Sequence, residues 1–271
     1  MPTSTSVDST FNYTSSTREK PQFFLYEPPD GTVKNIAPKD RQTSTVFNAR
    51  GPPATHLDRE GFSLVEHHTS VADFYDSDEV KRVYYPELID LVRAHVAAHD
   101  VIIFDHNVRC AAYAERKTHG ANYPVKFVHN DYTVASGPQR MRDLVPPSDV
   151  GNWMNSRFAI INVWRPIRGP VLESPFAFCD AQSISPQDFI PTDLVYEDRV
   201  GEIYSFHHSS AHRWYYYPEM QAHEALLLKC YDSSESGVAR FTAHSAFKDP
   251  SSPDDAPPRE SIEARALVRF R

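Results

Sequence analysis

Apolar residues along this chain gather in short runs of strand length. "VKFVH", "FAIINVW", "PFAFCDAQSI", "GEIYSFHH", "HRWYYYP", "ALLLKCYD", "RFTAHSAF" and "SIEARALVRF" are rich in β-branched and aromatic residues, and turn-forming pieces such as "PIRGP" and "DPSSPDDAPP" separate them. One stretch has a different period. Leu88, Leu91, Val92, Val96 and Ala97 recur at helical spacing, with Pro86 tolerated in a first turn and Glu87 and Asp90 near its start, which predicts a helix over 86–98. The run "VIIFD" after it predicts a strand over 101–105. Between Pro21 and Arg59, "PQFFLYEPPDGTVKN" reads as a short strand and a turn, and "RGPPATH" as a loop. Residues 1–20 are polar and rich in Ser and Thr, so a disordered or loosely attached arm is expected there, with residues 21–271 as a single domain. Many short strands after one or two helices predict a mainly β fold with flanking helices, built on a double-stranded β-helix (jelly-roll, cupin-like) core.

Composition narrows the function more than the fold. With 22 Pro against 9 Gly in 271 residues, rigid turns are favoured over long helices. A formal charge of -8 gives no electrostatic footprint for phosphate backbones or anionic lipid, so nucleic acid and membrane are not expected partners. Cys110, Cys179 and Cys230 are far apart and odd in number, which suggests neither a disulfide framework nor a zinc ribbon and fits a reducing compartment. The N-terminus lacks the apolar core of a signal peptide, and no stretch reaches the ~20 apolar residues of a membrane span; a cytoplasmic protein is expected. The partners expected are a small-molecule substrate and, as an open option, a second copy of the chain in a homodimer. GxGxxG, GxxxxGK and GxSxG signatures are absent, which removes the main support for nucleotide-binding folds and serine hydrolases.

The chemistry-bearing pattern begins at "FVHNDYT". His129 and Asp131 are two apart, so on a strand both point to one face and can reach one metal ion. An imidazole and a carboxylate completed by a distant second histidine form the facial triad that suits Fe(II) and leaves positions open for a cosubstrate and O2. His-x-Asp alone is a weak signal, and a capped strand followed by a turn would explain it. The C-terminal quarter strengthens it. His244 in "TAHSAF" is followed 15 residues later by Arg259 and then Ser261. A dicarboxylic cosubstrate needs a bidentate guanidinium on its far carboxylate, and a hydroxyl two residues along can add a second donor. His212 is the competing distal ligand, ranked second because no Arg-x-Ser follows it at short range.

In "FAIINVWRPI", Asn162 and Trp164 share one strand face and Arg165 takes the other; Asn162 is a candidate hydrogen-bond partner of the cosubstrate. Trp164, His212, Trp214 and Tyr216 are candidates for a substrate pocket, although ordinary core packing explains the aromatic run of "RWYYYPEM" equally well.

Taken together, "VHNDYT", "SGPQRMRDL", "NVWRPI", "HRWYYYPEM", "ALLLKCYDS" and "AHSAFKDP…PPRESIEAR" resemble the cephamycin 7α-hydroxylase-like group, with fungal relatives among gibberellin desaturases and oxygenases of secondary metabolism. The resemblance runs from about Phe74 to Phe270. It implies an oxygenase dependent on Fe(II) and 2-oxoglutarate that hydroxylates or desaturates a small metabolite with release of succinate and CO2. His129, Asp131 and His244 would then be its metal ligands. Two alternatives stand beside it: a non-catalytic β-barrel small-molecule-binding protein, and an iron enzyme that does not use 2-oxoglutarate.

Overall fold

A computed structural model describes residues 5–271. Among these residues the strands are β1 (Ser6–Thr14), β2 (Gln22–Phe24), β3 (Lys39–Asn48), β4 (Phe62–Glu66), β5 (Ala98–Arg109), β6 (His129–Asn130), β7 (Phe158–Pro166), β8 (Phe176–Cys179), β9 (Phe189–Val195), β10 (Val200–Phe206), β11 (Trp214–Tyr216), β12 (Glu224–Asp232), β13 (His244–Ala246) and β14 (Ser261–Phe270). They form two curled sheets in a jelly-roll: a larger one of order β1-β3-β11-β8-β13-β6-β10-β9-β2 and a smaller one of order β4-β12-β7-β14-β5.

The smaller sheet explains why its strands read as nearly continuous apolar runs. β7 and β12 are buried at all nine positions, because both faces are covered. Alternation sorts the side chains. Ala159, Ile161 and Val163 of β7 and Ile262, Ala264, Ala266 and Val268 of β14 form one core with Val80, Tyr84, Leu88, Leu91 and Val92 of the helical layer. Asn162 and Trp164 of β7 and Ser261, Glu263 and Arg265 of β14 are therefore on the opposite face, toward the larger sheet.

The predicted helix is present as Tyr85–Val96, preceded without a break by Val80–Tyr84, a π-helical turn, and Ser77–Glu79. Asp76 caps the start by accepting from the amides of Asp78 and Glu79, and Ala97 ends the helix at φ 50, where an L-residue cannot continue it. The strand predicted after it is longer than expected and spans Ala98–Arg109.

The N-terminal arm is corrected. Residues 6–14 of the region expected to be disordered form β1, paired antiparallel with β3 over its whole length. Val7, Ser9, Phe11 and Tyr13 are buried, a period-two pattern in which the apolar content is low because this strand covers the sheet with one face only. Residues 1–4 of that expected arm lie outside the described residues.

One glycine ties the fold to the interior. Gly61 enters β4 at φ +93, and a Cβ there would overlap the Thr242 side chain. Its carbonyl accepts from Thr242 Oγ1 at 3.2 Å and from the Lys229 amide at 2.8 Å. Gly61→Ala should therefore cost about 1–3 kcal/mol of stability, through backbone strain and displacement of Thr242. Chemical denaturation checks this against Gly151→Ala, which meets open space and should be near neutral.

Candidate active site

β6 and β13 lie side by side in the larger sheet, with His129 and His244 in direct register. Asp131 follows β6 by one residue. The structure thus brings His129, Asp131 and His244 together, with one donor atom of each within 4.8 Å of the others. Asp131 Oδ1 is 3.5 Å from His129 Nε2 and 3.7 Å from His244 Nε2.

Every other polar atom of the three is already engaged. His129 Nδ1 is 2.9 Å from the Phe127 carbonyl and His244 Nδ1 is 2.9 Å from the Thr242 carbonyl. A carbonyl can only accept, so both rings carry a proton on Nδ1 and turn Nε2 toward the cluster. Asp131 Oδ2 accepts from Asn162 Nδ2 at 2.8 Å and from Arg265 Nε at 2.9 Å, leaving Oδ1 to face the imidazoles. Such outer partners fix ligand orientation at metal centres.

The electrostatics agree. Burial, with the neighbouring His244, pushes His129 down to about 3, so its imidazole is neutral at physiological pH. For Asp131, burial pushes upward, but Arg265 and the two histidines prevail and hold the carboxyl well below its usual range. Two imidazole nitrogens and one carboxylate oxygen are the donor set of an Fe(II) facial triad.

A second group of side chains lies along β7, β14 and β5. Arg259 is buried and donates from Nη1 to the Ser174 carbonyl at 2.6 Å, with its guanidinium 5.5 Å from the Trp164 ring. Trp164 stacks on Phe176 at 5.3 Å, and Phe176 meets His244 edge-on at 5.4 Å, so an aromatic wall connects the guanidinium to the triad. Three buried polar atoms here have no partner: Arg259 Nε, Ser261 Oγ and Asn162 Oδ1. Buried polar atoms without partners are costly, and two of these, Arg259 Nε and Ser261 Oγ, are donors on one wall, which marks a place built for an acceptor ligand. A dicarboxylate reaching from the triad to Arg259 fits those two donors, though not Asn162 Oδ1, which can only accept.

Other candidates sit elsewhere. His212 is not near the triad: its Nδ1 is 3.0 Å from Tyr13 Oη and its Nε2 is 3.1 Å from Asp188 Oδ2, so both nitrogens are engaged. Trp214 pairs with Cys179 while His244 pairs with Phe178, which puts Trp214 on the opposite face of the sheet from His244. There it stacks on Phe11 and donates from Nε1 to Tyr13 Oη at 2.8 Å, and Tyr216 packs edge-on against Phe247 at 5.2 Å. The expected pocket role of Trp214 and Tyr216 is thus replaced by core packing beneath β1; of the four pocket candidates, Trp164 alone lines the site.

Arg265 escaped the sequence reading. It donates to Asp131, to Asp105 Oδ1 at 3.1 Å and to Glu263 Oε1 at 2.8 Å. Its signal was present in "SIEARALVRF", where Ser261, Glu263 and Arg265 alternate with apolar residues and so share one face.

A cavity of about 640 Å³, walled by Val134, Phe189, Tyr204 and Phe241 with Arg59 and Arg240, holds none of the three triad residues. It lies toward the Phe158 end of β7, reached through Tyr231, which is 5.5 Å from Phe158 and 6.0 Å from Phe241. Ser261 pairs with Pro166 at the other end of β7, and Asn162 touches Asp131 midway. The triad therefore lies beside the middle of β7, with the Arg259 guanidinium toward its Pro166 end, whereas the cavity wall residue Tyr204 pairs with Asn130 and not with His129.

Comparison with known proteins accords with this geometry. The family described as Oxidoreductase/YMDC permease-like domain matches residues 11–269. The hydroxylase/desaturase efuI of Hormonema carpetanum is 33% identical over 98% of this chain and 95% of its own length. The Fe(II)/2-oxoglutarate-dependent dioxygenase nvfI of Aspergillus novofumigatus is 32% identical over 90% of this chain and 94% of its own length. The solved structure of the iron and alpha-ketoglutarate-dependent endoperoxidase NvfI superposes with a TM-score of 0.88 at 28% identity, covering 98% of each chain. The chain belongs to this family of Fe(II)- and 2-oxoglutarate-dependent oxygenases. It is an enzyme of the dioxygenase class, with Fe(II), 2-oxoglutarate and O2 as its cofactors and cosubstrates. The non-catalytic alternative is thereby set aside. No helix among the described residues is long and apolar enough to cross a membrane.

The contacts to Asp131 set a quantitative expectation. Asn162→Ala should weaken Fe(II) binding by roughly 10–100-fold, the usual cost of losing an outer partner of a metal ligand. Arg265→Ala should instead lower overall stability by about 3–5 kcal/mol, because it leaves a buried carboxylate without its counter-charge. Metal titration and denaturant unfolding of the two variants separate the effects.

Proposed function

We propose that His129, Asp131 and His244 hold Fe(II), that Arg259 and Ser261 bind the far carboxylate of 2-oxoglutarate, and that the enzyme hydroxylates or desaturates a small molecule of secondary metabolism. The observation that carries this reading is the division of labour within the triad: two Nε2 atoms and one Oδ1 converge while their companion atoms are occupied. The unpartnered Arg259 Nε and Ser261 Oγ support the assignment of the cosubstrate end.

Iron with its cosubstrate and O2 supplies the oxidising power, with release of succinate and CO2. The chain's own residues orient and exclude. Asn162 and Arg265 keep Asp131 ionised and aimed; the Phe127 and Thr242 carbonyls hold the histidines in the ligating tautomer; and Trp164, Phe176 and Phe178 exclude water. Kinship with the cephamycin 7α-hydroxylase-like group in particular, action as one oxygenase unit that takes in β1 as well as residues 21–271, and a cytoplasmic location are part of the same proposal. They rest on the sequence motifs, the composition and the pairing of β1 with β3.

The test is succinate formation from 2-oxoglutarate by protein loaded anaerobically with Fe(II) and then exposed to O2. His129→Ala, Asp131→Ala and His244→Ala should each abolish it, and His212→Asn should retain it. Retention in His244→Ala with loss in His212→Asn would reassign the distal ligand. Arg259→Gln should raise the KM for 2-oxoglutarate about tenfold or more, as expected for loss of a charge-assisted pair; an unchanged KM would remove Arg259 from the cosubstrate site.

A further inference from the structure

Arg109 closes β5 directly across from Ser261, the two residues forming a register pair, so its side chain shares the face that carries the Ser261 hydroxyl. The only hydrogen bond it makes among the described residues is from Nη1 to the Tyr123 carbonyl at 2.9 Å, and it forms no ion pair there. Arg259 is in the same condition, donating its Nη1 to a carbonyl and making no ion pair. Two guanidiniums thus flank one unpartnered hydroxyl, whereas the third arginine of this wall, Arg265, meets three carboxylates.

From this we infer that Arg109 is a second cosubstrate-binding guanidinium, which with Arg259 and Ser261 grips the far carboxylate of 2-oxoglutarate. The inference rests on the cosubstrate reading above and adds a residue to it.

Electrostatics favours an anion at this place. Burial and the charge of Arg109 together push Arg259 down to about 10, so the two cations oppose each other in a desolvated setting. Burial likewise pushes Arg109 down, although Glu263 and Asp131 act in the opposite sense. A carboxylate between the two relieves that repulsion and takes up the open Nε and Oγ donors. Arg109 keeps partial exposure while Arg259 is buried, which places Arg109 on the outer side of the pair.

The experiment compares two ligands, 2-oxoglutarate and 2-oxopentanoate, which has the same carbon chain and the same 2-oxo acid end but a methyl group where the far carboxylate stands. Binding of each to the protein loaded with Fe(II) under strict exclusion of O2 is followed by calorimetry, for wild type, Arg109→Gln, Arg109→Lys and Arg259→Gln. Arg109→Gln should weaken 2-oxoglutarate about tenfold or more and leave 2-oxopentanoate unchanged, with Arg109→Lys recovering part of the loss. Unchanged 2-oxopentanoate binding also shows that the variant is folded and metallated. Equal loss for both ligands, or wild-type affinity for 2-oxoglutarate in Arg109→Gln, overturns the role of Arg109. A wild-type protein that binds both acids equally removes the cosubstrate reading itself, and this inference with it.

Discussion

The contact between Arg265 and Asp131 is the constraint on which the interior depends. A carboxylate withdrawn from water costs several kcal/mol unless a charge and hydrogen bonds compensate it. Asp131 receives a guanidinium Nε and an amide Nδ2 on one oxygen, so its other oxygen can remain bare toward the histidines without the residue protonating. Because Asn162 and Arg265 face each other in register on β7 and β14, both donors arrive from adjacent strands of the smaller sheet, while the histidines belong to the larger one. The triad is therefore a joint between the sheets. Any slip of β14 by one residue would turn Arg265 away and put an apolar side chain against the carboxylate.

The same register accounts for the charge balance of the cavity. Among the described residues Arg265 meets three carboxylates, Asp105, Asp131 and Glu263, the first of them shared with Arg140, whereas Arg109 and Arg259 form no ion pair. The protein thus keeps positive charge in reserve at the Pro166 end of β7, away from the triad. A doubly charged cation and a dianion would enter this arrangement without changing its formal balance, which suits a site that must bind both.

How much of this was legible in the sequence follows from what alternation can and cannot say. His-x-Asp spacing puts two side chains on one face whatever the strand does next, and Asn162 and Trp164 were paired for the same reason. His244 was favoured over His212 because Arg259 and Ser261 follow it, and the structure brings His244 to the cluster while engaging both nitrogens of His212 elsewhere. Alternation does not reveal which face looks inward. Trp214 and Tyr216 share a face, but it is the one opposite His244 that packs on Phe11 and Tyr13 of β1, and β1 itself was missed because Val7, Ser9, Phe11 and Tyr13 make a thin apolar stripe. Alternation shows that Arg265 shares a face with Ser261 and Glu263, but the role of Arg265, like that of Arg109, comes from a cross-strand partner, Asn162 for one and Ser261 for the other, and pairing between distant strands is not written in either segment alone.

This division has a physical cause. Local spacing determines which residues can act together, whereas long-range pairing determines what they act upon, and the second depends on the packing of both sheet faces. In β14 the two meet. Its even positions, Ile262, Ala264, Ala266 and Val268, are buried against the helical layer, and that apolar contact fixes the register. Its odd positions, Ser261, Glu263 and Arg265, then have no freedom to choose their partners. The helix Tyr85–Val96 packs on β5 and belongs to the same apolar core as these even positions, so the layer that buries them also bears on the aim of Asp131 through Arg265.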